Sequence, residues 1–309
     1  MSFQDVVLQQ VINGVSLGAI YALLALGFTM VYGIIELINF AHFNIFMVGS
    51  FVAMWVFQAA GIFGQSHVLA GAPLVGLLLL VLLATMLSTG LAGVAIERLA
   101  LRPLRNVSGT APMITTIGLS YILFNLILLG AGADTKNYPN PLPVLRWQIG
   151  GAVLRSSEVL IWTLTIVLMA GLHYFVRHTK MGKAMQATAQ DQEAARMMGV
   201  DVDRVVMLTF FLGSALAGAA GLIFGLYYNY TSFIIGYSAG LRAFTAAVLG
   251  GIGNIPGAML GGILIGLIES LGGQFIAVRW TDVIIFSILV LVLVFRPTGL
   301  LGRMVPARS

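Results

Sequence analysis

Polar and apolar positions are segregated along most of this chain rather than interleaved. No Asp, Glu, Lys or Arg lies between Val6 and Ile35, between Leu37 and Ile96, between Asn106 and Ala133, between Val205 and Leu241, or between Ala243 and Ile268. A helix crossing a bilayer needs about 20 apolar residues, so these tracts hold several spans, some back to back. The pattern predicts eight spans, over residues 6–33, 42–63, 73–96, 110–131, 159–176, 205–228, 257–276 and 282–295. A shorter apolar segment, 240–251, is too brief to cross and reads as half-inserted. A transmembrane barrel would alternate polarity over segments of roughly ten residues, whereas these runs are continuous. The expected fold is an all-α polytopic membrane protein, one domain over 1–309, whose first apolar run is a span and not a removable signal.

Two interruptions stand out inside otherwise apolar sequence. One falls within 33–49, where a helix breaks at Asn39-Phe40-Ala41-His42 and a new one begins. The other falls within 250–262, where Gly250-Gly251-Ile252-Gly253-Asn254-Ile255-Pro256 separates two helices. Paired interruptions of this kind point to a transport pathway, because irregular backbone at membrane depth must be buried in protein or line a wet cavity. The alternative is a pair of tight turns between neighbouring spans. Gly213, Ala217, Gly221 and Gly225 recur every four residues and predict a close helix-packing seam, internal or between subunits.

Charge orients the spans. Arg98, Arg102 and Arg105 cluster after the third span; Arg177, Lys180, Lys183, Arg196 and Arg204 after the fifth; Arg296, Arg303 and Arg308 at the C-terminus. These are most of the 16 Lys and Arg, so the three segments are expected in the cytoplasm. Segment 132–158 then faces outward. Pro139, Pro141 and Pro143 stiffen its first part, and 144–149, Gly150-Gly151 and 152–155 read as a small periplasmic hairpin, either a spacer or a docking surface. The side of the N-terminus is not fixed by its few charges.

The 309 residues are 59% hydrophobic and 9% charged, against about a quarter charged in soluble domains, and a soluble enzyme is excluded. The net charge of +5 fits basic cytoplasmic loops rather than a nucleic-acid partner. With no cysteine in the sequence, disulfides and thiolate metal sites are impossible. A Walker A loop is missing: the only Gly-Lys, Gly182-Lys183, precedes Ala184, and Arg177 stands where the first glycine belongs. The dinucleotide fingerprint fails after Gly251-Ile252-Gly253. His42, His67, His173 and His178 are scattered, and His42 alone borders a break, where satisfying a backbone carbonyl is the simpler role. No nucleophile–base set can be assembled; no enzyme activity, metal or cofactor is expected. Among the ionisable residues of the apolar tracts, Glu36 adjoins the first break, Arg242 opens the short 240–251 segment, and Glu269 sits inside a span; intramembrane charges are costly and are usually paired or functional. So few carboxylates suggest an outside energy source.

Segment 177–204 is polar but well punctuated. Asp191 is placed to cap a short helix over 192–198, Glu193 suits its first turn, and Gly199 supplies a left-handed C-terminal residue. Asp201 or Asp203 caps the next span. Ala194, Ala195, Met197 and Met198 give this helix an apolar, adaptable surface, and two turns are too short to stand alone. It needs either a partner or a seat on its own bundle.

Glu193-Ala194-Ala195, three residues, then Gly199 resembles the Glu-Ala-Ala…Gly loop of ABC importer permeases. The wider run Met181-Gly182-Lys183-Ala184…Asp191…Ala194…Met198-Gly199-Val200 resembles the LivH-type permeases of branched-chain amino-acid ABC transporters. So do Asn13-Gly14…Gly18…Tyr21-Ala22-Leu23, Tyr32-Gly33-Ile34…Asn39-Phe40-Ala41-His42, Glu97-Arg98…Arg102-Pro103-Leu104-Arg105, the run from Ala243 to Ala258, and Arg296-Pro297-Thr298-Gly299-Leu300-Leu301-Gly302. The match covers nearly the whole chain in order. Phe43 is a departure, standing where many relatives carry Gly.

The resemblance implies a bacterial inner-membrane, multi-pass permease with a cytoplasmic C-terminus. It implies four partners besides lipid: a second related permease, two ATPase subunits and a periplasmic amino-acid-binding protein. In such an assembly the missing ATP chemistry lies on the ATPases. Asp191, Glu193, Ala194, Ala195, Met198 and Gly199 then belong to a coupling helix, and the breaks at Asn39, His42, Gly250, Gly251, Gly253, Asn254 and Pro256 flank the path. The implied substrates are leucine, isoleucine and valine; a urea or amide permease, or a stand-alone channel for small neutral solutes, are the alternatives.

Overall fold

A computed structural model describes residues 2–64, 68–105, 107 and 110–302. Asn106, His67, Arg303 and Arg308 lie outside the described residues. The described residues fold as eleven α-helices: α1 (Phe3–Ile35), α2 (Ala41–Ala59), α3 (Ala72–Ile96), α4 (Ala111–Ala131), α5 (Ser156–His178), α6 (Lys180–Gln190), α7 (Gln192–Met197), α8 (Val202–Tyr228), α9 (Ile235–Gly250), α10 (Ile255–Gly272) and α11 (Thr281–Phe295). Four short strands accompany them, β1 (Lys136–Asn137), β2 (Arg146–Ile149), β3 (Ala152–Arg155) and β4 (Tyr230–Thr231). The protein is a polytopic, all-α membrane protein with, among the described residues, seven helical stretches long and apolar enough to cross a bilayer. The sequence pattern predicted eight spans; the last two fall within one of these stretches, Ile255–Phe295. That stretch is not one rod. Ala277 is extended, with φ 178° and ψ 149°, and α10 and α11 fold back on each other around it.

Glycine packing sets which helices lie inside. α1 runs through the middle, antiparallel to α10. A Cβ on Gly18 would fall 2.6 Å from the Ile263 Cα, and one on Gly14 would fall 2.9 Å from the Leu267 Cα. α8 approaches α1 and α2 equally closely: Gly213 meets the Gly27 carbonyl, and Gly221 meets the Phe46 carbonyl. The small-residue seam read from the sequence is therefore internal. α3, α4, α5 and α11 form an outer layer whose side chains point largely away from the bundle.

The two ends of the bundle differ. At one end β2 and β3 form the expected hairpin, with Gly150 in the left-handed region at φ 61°. Gln9 on the first turns of α1 clasps it: its Nε2 donates to the Val153 carbonyl (3.2 Å) and its Oε1 accepts from the Val153 N–H (2.8 Å). The start of α1 therefore lies at the hairpin end. β1 pairs with β4, and the Asn140 amide donates to Asn229 Oδ1 (2.7 Å), so segment 132–158 is pinned across the end of α8. At the opposite, basic end, Arg102 and Arg105 both bind Asp203, the latter at 2.6 Å, and Arg105 also binds the buried Glu97. This staples α3 to the start of α8 and leaves Asp201 as the residue that caps α8.

α9 corrects one expectation. The short helix begins at Ile235 rather than 240, and Arg242 sits in its middle instead of opening it. Gly236 and Gly240 are packing points inside the helix. Gly236 abuts Asn44 and the Phe43 carbonyl, and Gly240 abuts the Phe43 ring. The bulk added at Phe43 fits because α9 offers no side chain there.

Candidate functional site

The first interruption is an extended, re-entrant strip. α1 ends at Glu36, which is exposed and left-handed at φ 53°, with its N–H bonded to the Tyr32 carbonyl. Residues 36–40 then climb back beside α1. The Phe40 N–H donates to Thr116 Oγ1 (3.2 Å), and Asn39 Oδ1 accepts from the Ala41 N–H (3.1 Å). His42, 1% exposed, bonds through Nε2 to the Leu24 carbonyl (3.2 Å), roughly three turns back from the end of α1. Protein groups thus accept from the N–H groups of Phe40, Ala41 and His42 at the end of this irregular strip.

The second interruption is a tight turn between α9 and α10. Gly251 and Gly253 take φ 107° and 87°, a region costly for residues with a Cβ. Asn254 caps α10 by accepting from the Gly257 N–H (3.1 Å), and its amide donates to the Leu301 carbonyl (2.6 Å). Pro256 lies in the first turn of α10. Leu300 and Leu301 donate to the carbonyls of Leu249 and Gly250 (2.8 and 3.0 Å), so the C-terminal segment clasps this turn. The two breaks thus differ in form, one re-entrant and one a turn, yet they meet: Gly33, near the end of α1, faces the Gly253 Cα.

α7 sits at the same end. Asp191 caps it, Oδ1 accepting from the N–H groups of Glu193 (2.9 Å) and Ala194 (3.0 Å). Gly199 is left-handed at φ 83°, and the Val200 N–H reaches back to the Ala195 carbonyl. One face of α7 is seated: Ala195 is buried, and Gln192 Nε2 donates to the Ile34 carbonyl (2.9 Å). The opposite face is open, with Met197 and Met198 83% and 85% exposed and Glu193 exposed beside them. No sequence pattern points to the Gln192–Ile34 bond, which ties α7 to the last turn of α1 and so to the first break.

A second missed feature lies toward the hairpin end. Arg242 binds Glu269 (2.8 Å) and Asp282 (2.7 Å), while the Tyr21 hydroxyl donates to Glu269 (2.7 Å). Four helices, α1, α9, α10 and α11, meet in this network. Arg242 and Glu269 are nearly alone in a long uncharged tract, and mutual pairing is the cheapest way to bury both; that spacing was the signal available. Among the described residues no group of three or more His, Asp or Glu is placed to hold a metal ion.

The family described as branched-chain amino acid transport system / permease component matches residues 10–293. The chain belongs to this permease family. It is 41% identical over 300 residues, 96% of each chain, to the high-affinity branched-chain amino acid transport system permease protein BraD of Pseudomonas aeruginosa. It is 41% identical over 303 residues, again 96% of each chain, to the permease protein LivH of Escherichia coli strain K12. The autoinducer 2 import system permease protein LsrC of Escherichia coli is 28% identical over 59% of this chain. These relatives are named as permease subunits, not enzymes. No solved structure matches. In this permease the two breaks and α7 converge at the basic end.

Proposed function

We propose that this chain is the permease subunit of an ATP-driven, binding-protein-dependent importer of leucine, isoleucine and valine. The 41% identity to the branched-chain permeases, sustained over 96% of both chains, carries this reading. The family description is of one component of a transport system, and the partners proposed are a second related permease, two ATPase subunits and a periplasmic amino-acid-binding protein. The membrane is the bacterial inner membrane. The basic end faces the cytoplasm, since Arg98, Arg102, Arg105, Lys180 and Lys183 gather there, and the C-terminal segment that clasps the α9–α10 turn lies on that side.

In this reading α7 is the coupling helix. Asp191 and Gly199 fix its two ends, Ala194 and Ala195 shape its surface, and Glu193, Met197 and Met198 meet an ATPase groove. Closure of the ATPases moves α7. Gln192 passes the movement to Ile34, at the foot of the strip bearing Asn39 and His42, and the Gly33–Gly253 approach passes it to the Gly250–Pro256 turn. The bundle then rocks between states opened to either side. The test is Glu193→Lys in the reconstituted complex. It puts the wrong charge at the α7 N-terminus, and substrate-stimulated ATP hydrolysis and uptake are expected to fall together at least fivefold, with amino-acid binding to the external protein unchanged. Wild-type stimulation and uptake, with a helix-breaking Ala195→Pro equally silent, would return α7 to being a linker.

A further inference from the structure

The hairpin end, opposite α7, holds a cleft of about 490 Å³ between the start of α1, the β2–β3 hairpin, the start of α5 and the end of α8. We propose that this cleft is a docking site for a free zwitterionic α-amino acid with an aliphatic side chain. Its ammonium group binds Glu158, its carboxylate binds Arg146 and Arg155, and its aliphatic chain lies against Val153 and the rings of Tyr227 and Tyr228. The inference deepens the importer reading and rests on it.

The charges of the cleft carry the argument. Glu158 lines it and is only 3% exposed. One carboxylate oxygen, Oε2, accepts from the Arg155 N–H (2.8 Å), and the other has no donor among the described residues. The Arg155 charge lies within electrostatic reach of Glu158, but no cation among the described residues makes a direct ion pair with this buried carboxylate. Arg146 and Arg155 line the same cleft, and among the described residues neither forms an ion pair. A charge set serving only the fold would close on itself, as Arg242, Glu269 and Asp282 do. Here one buried anion and two exposed cations line a shared space without closing into a direct ion pair among the described residues. A simple carboxylate would pair with the arginines and leave Glu158 without a cation, and an amine would pair with Glu158 and leave both arginines without an anion; a zwitterion pairs both signs. The volume lies within the ~300–1,000 Å³ of small-molecule sites. The wall is also rigid, because Gln9 holds Val153 through two hydrogen bonds. Tyr228 borders the cleft and lies within electrostatic reach of Glu269 and Arg242, so polar groups continue from the cleft into the bundle.

The chain has no cysteine, which makes a single introduced one a clean reporter. Ser157 lines the cleft. In the complete transporter, in membrane vesicles without binding protein, Ser157→Cys is labelled with a membrane-impermeant thiol reagent. Millimolar leucine is expected to slow labelling at least threefold. 4-Methylvalerate, which lacks the ammonium group, and isopentylamine, which lacks the carboxylate, are expected to leave it unchanged. Because Glu158 also caps α5, the second variant is Arg146→Gln on the exposed strand: added to Ser157→Cys it is expected to abolish the leucine protection, and alone to raise the leucine KM of uptake at least threefold. Labelling indifferent to leucine in a complex that still imports leucine overturns the docking site and leaves the importer reading intact. Equal protection by either analogue overturns recognition of a zwitterion. Absence of leucine uptake by the wild-type complex overturns the importer reading instead, and the labelling result, which needs no turnover, still decides the cleft.

Discussion

α1 and α4 have the same apolar character and opposite positions. The most apolar windows of both average a hydropathy of 1.9, yet 83% of that window is buried in α1 and 11% in α4. Hydropathy therefore states that both cross a membrane and says nothing about which one lies inside. The difference is in the glycines. In α1, Gly14, Gly18 and Gly27 each meet the backbone of α10 or α8, whereas Gly118 and Gly130 of α4 have nothing within 4 Å of a would-be Cβ. Lipid is as apolar as leucine, so burying a leucine in the bundle gains little over leaving it in lipid. Close backbone approach, with the dispersion contacts it brings, is what draws a helix inward.

The sharpest way to break this comparison is to give both helices the same large residue. Gly18→Leu drives a side chain into the Ile263 backbone from a helix that cannot retreat, since α8 packs behind it. Overpacking costs ~1–3 kcal/mol where side chains can adjust, and backbone on both sides puts this case at or above that range. Gly18→Leu is expected to abolish the monodisperse peak of the detergent-solubilised chain or to lower its melting temperature by more than 10 °C. Gly118→Leu on α4 is expected to leave both unchanged. Equal behaviour of the two variants would mean that the glycines do not sort the helices.

Such a contrast also shows why some of the molecule was legible in the sequence and some was not. The spans, the hairpin, the Asp191 cap and the left-handed Gly199 follow from hydropathy, turn chemistry and capping, all local properties. The start of α9 lies outside the expected segment because Gly236 and Gly240 belong to the helix as packing points against Phe43 of α2, a contact no local pattern announces. The number of spans blurred for a similar reason: Ile255–Phe295 is uniformly apolar, and only the extended Ala277 divides it. The roles of Gln192 and Arg242 are wholly non-local. Gln192 reaches a backbone carbonyl, which no side-chain pattern advertises. Arg242 reaches Asp282 across forty residues.

The Arg242 network extends the comparison to polar groups, since it joins α1 to α9, α10 and α11 where glycine alone does not. Arg242→Gln leaves Glu269 without its cation. Removing one partner of a buried pair costs ~3–5 kcal/mol. The lower end applies here, because the Arg242 side chain is 21% exposed and the Tyr21 hydroxyl still donates to Glu269. The expected result is a fall of several degrees in the melting temperature, smaller than for Gly18→Leu. The double variant Arg242→Met, Glu269→Met is expected to regain most of the loss. If the single variant melts like wild type, the network does not hold these helices together, and packing alone would account for the interior.

The smallest effect is expected where an inner helix meets the cytoplasmic segment. Gln192 makes one hydrogen bond to α1, and the bond lies near the surface. Its net worth is ~1 kcal/mol, too little to move the melting of a bundle held by the α1–α10 seam. It is, however, a large share of what orders α7, a six-residue helix with one buried side chain and little stability of its own. Gln192→Ala should therefore leave global unfolding unchanged and raise the open population of α7 about fivefold, the factor that ~1 kcal/mol represents. When opening is fast relative to cleavage, proteolysis follows that population. Limited trypsin digestion at Arg196 is then expected to accelerate about fivefold, while cleavage at Arg146 on the opposite end stays the same. If both sites respond alike, Gln192 acts on the whole bundle. If neither responds, Asp191 and Ala195 hold α7 unaided, and the link from the coupling segment into α1 must run through packing rather than through this bond.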